Sequence, residues 1–152
     1  MYYQDLSTYY YCADIIFPNI FNVGWLDNNH IYNIGETDKI IVKKLEVILL
    51  NKSPCSSIVN EMRGVYECPF CGSDRIIINI DGEKILLGNS EVWVPAKEGH
   101  VYVAPSLIHH YINEHNYAPP QEFTDSLLNL NINEPFSGQA LYDKLAEKYY
   151  NK

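Results

Sequence analysis

The stretch ECPFCG, at residues 67–72, is the segment that decides the fold. Cys68 and Cys71 form a CxxC pair, and a tight turn between them aims both sulfurs at one point, which is how such pairs bind zinc. Pro69 and Gly72 favour that turn. In a reducing compartment, a CxxC pair is typical of a metal site or a redox site. The stretch therefore predicts a cysteine knuckle.

A pair of histidines further along the chain supplies the remaining ligands of a metal site. His110 and His115 lie in HHYINEHNY, at residues 109–117. Zinc commonly takes two cysteines from a CxxC turn and two histidines spaced three to five apart, and four such ligands close a tetrahedral site of the structural kind. The sequence predicts a structural zinc site with four ligands: Cys68, Cys71, His110 and His115.

The spacing of the two histidines places a condition on the helix that carries them. In a regular helix, residues five apart lie about 140° out of line. We therefore expect the helix to loosen or end around Asn113, so that His115 can turn back toward His110. Asn116, just after the pair, is consistent with a helix end.

A β-hairpin is predicted between the knuckle and the histidines. Residues 75–80 and 84–87 are strand-like and flank Asp81-Gly82, a dipeptide that favours a two-residue hairpin turn. Two further strands are predicted at residues 91–94 and 101–103. Knuckle, hairpin and helix in this order are typical of treble-clef zinc modules.

Four helices and one early strand complete the prediction. FNVGWL at residues 21–26 is a strand candidate. The first helix begins at Thr37, a plausible N-cap, and ends near Asn51. The second starts at Pro105, the third spans residues 121–130, and the last is capped by Ser137. Their predicted apolar positions are Ile41, Leu45, Ile48, Leu49, Leu107, Ile108, Tyr111, Ile112, Phe123, Leu127, Leu130, Leu141, Leu145 and Tyr149.

The fold class predicted from these elements is α+β, in a single domain over residues 1–152. A chain of 152 residues is too short for two domains with sizeable cores. We expect a small antiparallel sheet, a treble-clef-like zinc knuckle and about four helices. The zinc-binding core is expected at about 63–118 and the C-terminal helices at 121–150.

The cysteines and histidines also admit other interpretations. The CxxC pair can be a redox pair, although that use needs it between a strand and a helix, whereas here it precedes a hairpin. Alternatively, the cysteines are buried core residues and the histidines are hydrogen-bonded in the interior. His109 competes with His110 as a ligand, and His100 is expected in an exposed turn. Cys12 and Cys55 are isolated and are expected to be structural.

The charge restricts the class of partner. The formal net charge is −8, from 19 acidic and 11 basic side chains. Such a field repels phosphate backbones, so nucleic acid is excluded as a partner, whereas a basic protein would be attracted. No apolar run approaches a membrane span and the N-terminus has no signal-peptide pattern, so the expected compartment is the cytoplasm. The chain also has 13 tyrosines, many near its ends, and these are expected to pack onto the domain through their rings.

Several short motifs together resemble those of a family of small bacterial proteins of unknown function. The resemblance runs through most of the chain. It is carried by Tyr3 with Asp5-Leu6, NVGWL at 22–26, Arg63-Gly64, CPFC at 68–71, GNSEVWVP at 88–95, YVAP at 102–105, Leu107-Ile108, His110-Tyr111, His115, Tyr117, Pro119-Pro120 and Phe123.

The resemblance implies the same metal ligands and no reaction. The family pattern contains the CxxC pair, the histidine of the His-Tyr pair and the histidine before the later tyrosine, which correspond here to the four residues named above. His109 lies outside the pattern, which favours His110. Family members often carry histidine where this chain has Tyr66, so that position is not a required ligand here.

Two classes of function follow from the sequence. The first is a zinc-stabilised, non-catalytic module that binds another protein of basic character, for example an immunity or antitoxin-like protein that caps a basic toxin domain. The second is a zinc-dependent enzyme acting on a small substrate, with Arg63, Glu91 and His110 as its candidate active-site residues and Glu91 as the base. Glu91 can also simply pair with Arg63. Because four ligands close the zinc site, the first class is favoured.

Overall fold

A computed structural model describes residues 1–12 and 15–150, with side chains described outside residues 11–15 and 149–152. Cys12 and Tyr149, to which the sequence assigned structural roles, therefore lie outside the described side chains. The strands are β1 (Thr8–Cys12), β2 (Ile15–Asn22), β3 (Cys55–Ser56), β4 (Ile58–Val59), β5 (Ile76–Ile80), β6 (Glu83–Leu87), β7 (Glu91–Pro95), β8 (Val101–Pro105) and β9 (Phe136–Ser137). The helices are α1 (Lys39–Leu50), α2 (Ile108–His115), α3 (Gln121–Asn129) and α4 (Gly138–Tyr150), with a short 3₁₀ turn at Lys97–Gly99.

The described residues form a mixed α+β fold with four α-helices and small sheets, in agreement with the predicted class. The main sheet has five strands in the order β1-β2-β8-β7-β4. It is not purely antiparallel as predicted, because β2 pairs in parallel with β8. Strand direction was misjudged because the chain between β2 and β8 runs through several other elements, and no local pattern records how it returns.

Helices cover both faces of the sheet. Val92 and Val94 of β7 join the core cluster that includes buried residues of α1, α2 and α3. Trp93, between them, faces the opposite way and joins a second cluster, against which Leu141 and Leu145 of α4 pack. Because successive side chains in a strand point to opposite faces, β7 needs apolar residues at consecutive positions to bury both.

The hairpin predicted around Asp81-Gly82 is confirmed. β5 and β6 pair antiparallel from Ile76–Leu87 to Ile80–Glu83. Asp81 has φ 51° and Gly82 has φ 84°, so both turn residues adopt the left-handed conformation that the commonest two-residue turn requires.

The predictions for α1, α3 and α4 are confirmed, with small shifts at the ends. The predicted apolar face of α1 is buried, and Asn51 ends the helix in the left-handed conformation. The N-cap of α1 is Asp38, one residue later than predicted, because its carboxylate accepts the Ile40 N–H. In α3, Phe123 and Leu127 are buried. The Ser137 hydroxyl accepts the Ala140 N–H at the start of α4. No helix within the described ranges has the length and apolar character needed to cross a membrane.

The prediction for the N-terminal region was wrong. The strand expected at 21–26 reaches only to Asn22, and β1 and β2 occupy residues that the sequence left unassigned. Gly24 has φ 76°, which ends the extended run.

The tyrosines near the N-terminus pack through their rings, as expected. The ring centre of Tyr3 lies 5.7 Å from that of Trp25, and the ring centre of Tyr9 lies 5.6 Å from that of Trp93. These pairings join distant parts of the chain and leave no local pattern.

Candidate functional site

The knuckle is a tight turn closed by backbone hydrogen bonds. The Gly72 N–H donates to the Cys68 carbonyl (2.9 Å), and the Cys68 N–H donates to the Ser73 carbonyl (3.0 Å). Gly72 has φ 70°, which glycine adopts without strain. The turn brings residues 68 and 71 to the same side, as the CxxC spacing predicts.

The second half of the site is the C-terminal end of α2. The helix begins later than predicted, at Ile108, because Pro105 is the last residue of β8 and pairs with Glu91. Of the two predicted alternatives, loosening or ending around Asn113, the helix does not end there but continues through His115. However, the Asn116 N–H donates to the Tyr111 carbonyl, a span of five residues instead of the α-helical four. This wider last turn brings residues five apart closer to one face.

Ligand-type atoms of the four predicted residues converge at one point. The Cys68 sulfur lies 3.3 Å from His115 Nε2, and the Cys71 sulfur lies 3.5 Å from His110 Nε2. The two Nε2 atoms are 3.2 Å apart, and all four atoms lie within 4.8 Å of one another. The four side chains therefore lie close enough to bind a metal ion; we call this set (Cys68, Cys71, His110, His115) the Cys/His cluster.

Three of the six separations within the cluster are close to those expected around a small tetrahedral ion. Zinc bonded at about 2.3 Å to sulfur and about 2.0–2.1 Å to nitrogen would hold its tetrahedral ligands roughly 3.3–3.8 Å apart. The three separations given above are at or just below this range. Cys68 and Cys71 are free thiols, so no disulfide competes for the sulfurs.

The two cysteines have different surroundings. Cys68 is fully buried, whereas Cys71 is exposed. Hydrogen bonding to the Ser73 hydroxyl and amide, and then to His115 and His110, lowers the pKa of Cys71 to about 5. Burial is the main cause that raises the pKa of Cys68. Cys71 is therefore a thiolate at neutral pH, the form in which cysteine binds a metal.

Aromatic packing fixes His115. The Phe70 ring, from the knuckle itself, lies 5.1 Å from the His115 ring and 5.7 Å from the Tyr111 ring. The Tyr32 hydroxyl donates a hydrogen bond to the His115 carbonyl (2.9 Å). The knuckle and α2 are thus packed together on one side by Phe70, independently of any ion.

The other histidines and the remaining described cysteine lie elsewhere. His109 is buried and its Nε2 lies 2.9 Å from the Glu46 carboxylate of α1, so it faces away from the cluster. His100 is half-buried, with its ring 5.3 Å from that of Phe21. Cys55 is buried, with its sulfur 3.8 Å from the Ser57 hydroxyl, and fits the structural role expected of it.

Glu91 does not pair with Arg63. Arg63 is exposed, and the ion pairs found among residues 1–12 and 15–150 do not include either residue. The Glu91 carboxylate instead accepts hydrogen bonds from the Tyr9 hydroxyl (2.9 Å) and the Asn60 amide (2.7 Å). Burial raises the pKa of Glu91, although these hydrogen bonds act in the opposite direction. The pairing was misjudged because Tyr9 and Asn60 come from segments that carry no signal for it.

A cavity of about 750 Å³, which we call the aromatic cleft, lies beside the knuckle. Its walls include Glu91 and several aromatic rings, and none of the Cys/His cluster residues lines it. Pro69 of the knuckle and Tyr111 of α2 form part of one wall. The sequence did not predict the cleft, since Tyr, Asn and Glu on separate elements have no spacing signature. The motif residues Tyr3, Trp25 and Glu91 do all meet there.

Fold and site together define a mixed α+β protein with a two-cysteine, two-histidine cluster suited to a metal ion. The chain belongs to the family described as Domain of unknown function (DUF7919), which matches residues 1–128. The matched segment contains the whole Cys/His cluster and ends before α4. No curated protein and no solved structure shows a significant match to the chain.

Proposed function

We propose that this protein is a zinc-stabilised binding protein, in which the metal holds the fold and the binding surface lies elsewhere. The observation that carries the proposal is the convergence of four good zinc donors within 4.8 Å of one another. Four protein ligands complete a tetrahedron and leave no position for a substrate or a reactive water. Zinc would be held by Cys68 and Cys71 of the knuckle and by His110 and His115 of α2.

The place of the cluster in the fold supports a structural role. Knuckle and α2 are joined through the β5–β6 hairpin and the β7–β8 pair, so a metal between them closes a long loop. Their order is that of a treble-clef module. A bound ion would also fix one wall of the aromatic cleft, because Pro69 and Tyr111 belong to these two segments.

The proposed partner is a protein of basic character. The net charge of −8 attracts cationic surfaces and would speed their capture. An immunity or antitoxin-like protein that caps a basic toxin domain would be one form of this role.

The zinc-enzyme alternative receives less support. It needs an open coordination position that faces a cavity, with Glu91 or Arg63 within reach. The cluster offers four donors and none of them lines the cleft. Glu91 is held by neutral donors, and Arg63 is exposed and does not line the cleft.

The test is metal analysis of the purified full-length chain, followed by cobalt replacement. We expect one zinc per chain by elemental analysis and a large fall in Tm when a chelator removes it. The cobalt form should give the visible spectrum of a four-coordinate site with two sulfur ligands, unchanged by added azide. Protein without metal that melts at the same temperature would overturn the structural zinc site. A spectrum shifted by azide would instead support an open site and the enzyme alternative.

A further inference from the structure

The aromatic cleft combines rings and carboxylates and has no cationic side chain among its described lining residues. Its aromatic members include Tyr9, Trp25, Tyr66 and Tyr111. At about 750 Å³ it falls in the size range of ligand pockets. Such a composition favours a ligand that is positively charged, since the faces of aromatic rings attract cations.

Glu91 gives the cleft a carboxylate that forms no ion pair with the side chains that the structure describes. Its carboxylate is held by three neutral donors: the Tyr9 hydroxyl, the Asn60 amide and, more distantly at 3.4 Å, the Trp93 indole N–H. A largely buried carboxylate is usually paired with a cation, because neutral hydrogen bonds only partly replace the lost hydration. A carboxylate offers about four acceptor positions, so its two oxygens still have room for a further donor.

The arrangement around Glu91 is fixed before any ligand arrives. Asn60 has φ 54°, and its backbone N–H donates to the Gln139 side chain of α4 (2.6 Å). The Gln139 amide in turn donates to the Asp143 carboxylate (2.9 Å). Tyr9 packs edge-on against the buried Trp93 ring. A site held in this way loses little conformational entropy on binding.

Other carboxylates add to the negative potential at the opening. Glu61 and Glu67 are exposed and line the cleft, as does Asp27, which is paired with His30 (2.8 Å). Walls of low polarity beside charges of one sign concentrate the field in the opening. The field therefore draws a cation toward Glu91.

We infer that the aromatic cleft is the docking site for an arginine side chain of a basic partner protein. This deepens the proposed function and rests on it for the nature of the partner. Arginine suits the cleft better than lysine, because its flat guanidinium stacks on aromatic rings while its N–H groups donate from the edge of the plane. Glu91 Oε2, which accepts a hydrogen bond from the Asn60 amide, has room for one of these donors, and Tyr66, about half exposed, supplies an accessible ring.

The experiment compares two peptides by titration calorimetry on the full, zinc-loaded chain. One is a blocked Gly-Arg-Gly peptide, and the other carries citrulline, the neutral urea analogue of arginine, in place of the arginine. We expect the arginine peptide to bind at least about tenfold more tightly, because citrulline lacks the charge and has a carbonyl acceptor in place of one NH2 group with its two N–H donors. Equal affinities would overturn the inference.

Three variants locate the binding. Glu91→Gln should weaken the arginine peptide by about tenfold or more, whereas Glu134→Gln, the same change at an exposed site outside the cleft, should leave its affinity unchanged. Equal weakening by both would show unspecific charge attraction and overturn the inference. Tyr66→Leu changes an exposed ring, keeps the inference testable if Glu91→Gln misfolds, and should weaken binding severalfold.

A small guanidinium compound tests the source of the cation. We expect butylguanidinium to bind more weakly than the arginine peptide. If butylguanidinium binds more tightly than the peptide, the occupant of the cleft is a free guanidinium metabolite and not the arginine side chain of a protein.

Zinc content, measured on the same samples, separates the docking proposal from the structural zinc proposal. A failed peptide titration with one zinc per chain rejects the docking site and leaves the structural metal intact.

Discussion

The Cys/His cluster and the aromatic cleft share a wall but are assembled in different ways. The cluster comes from two short segments, and its residue types have few uses other than metal binding when they converge. The cleft is built from β1 and the residues before it, residues 25–27, the loop around Asn60, β7 and α4, with side chains that occur throughout every protein. Donor chemistry thus identifies the first region, while only spatial arrangement identifies the second.

The two regions also differ in what holds them. In the cluster, sulfur and nitrogen atoms face one another across 3.2–3.5 Å, an arrangement that an ion would complete. In the cleft, neutral hydrogen bonds and ring packing already fix Glu91 without an ion. We therefore expect the loss of one metal ligand to cost far more stability than the loss of any one cleft contact.

The largest effect is expected from Cys68→Ser. Structural zinc contributes roughly 10–16 kcal/mol of binding free energy in small zinc domains, as much as the whole stability of many domains. Because Cys68 is buried as well as a proposed ligand, the variant should lose zinc and most of its thermal stability. Elemental analysis and a thermal melt measure both.

Cys55→Ala is the matched control for that variant. Cys55 is also buried but lies outside the cluster, so its replacement should lower Tm slightly and leave one zinc per chain. Loss of zinc from both variants would contradict the ligand assignment.

The second-largest loss of stability is expected from Gly88→Ala, in the wall of the cleft. A Cβ at this position would lie 2.7 Å from the Tyr66 carbonyl oxygen, and φ is 94°, where other residues are strained. We expect a loss of about 3 kcal/mol in the free energy of unfolding. Zinc content should not change. Urea denaturation measures the loss.

Gly64→Ala, in the neighbouring segment, tests whether the Gly88 effect is local. A Cβ on Gly64 would meet nothing within 4 Å, so its replacement should change the stability by less than about 1 kcal/mol. A similar loss in both variants would rule out the close approach at Gly88 as the cause.

Variants of the adjacent histidines His109 and His110 test which of the two belongs to the cluster. His109→Gln should cost about 1–3 kcal/mol, because it disturbs the partly buried hydrogen bond to Glu46, and it should retain zinc. His110→Gln should lose zinc. Elemental analysis of the two variants, one residue apart, makes the comparison, and retention of zinc by His110→Gln would remove that residue from the ligand set.

The smallest effect is the pH dependence that Glu91 contributes. Its pKa in the folded protein is raised above the ordinary value of 4.5, mainly by burial. A raised carboxyl pKa favours the folded state below that ordinary value, and the contribution is lost as pH rises through the folded pKa. The wild type should therefore lose stability over this range relative to Glu91→Gln. Urea denaturation at several pH values measures the difference, with Glu134→Gln as the reference for surface charge; parallel curves for all three proteins would contradict it.

The sequence predictions were correct where the interactions are local and wrong where they join residues far apart in the chain. Asp81-Gly82 predicted its hairpin turn because the left-handed conformation of both residues is a local property. The apolar face of α1 was correct because helical periodicity is also local. The parallel pairing of β2 with β8 was missed because many other elements lie between the two strands along the chain. The Glu91 pairing was wrong for the same reason, since Tyr9 and Asn60, the two closer donors to its carboxylate, are distant in sequence.

The sequence by itself determined which residues are suited to bind a metal, the class of the fold and most of its helices. These depend on donor chemistry, on spacing within short segments and on the period of apolar residues. Only the tertiary structure decided that Phe70 packs the knuckle against α2, and that rings and carboxylates from distant segments enclose a cleft. Both results depend on packing between elements far apart in the chain, and such packing leaves no pattern in any one of them.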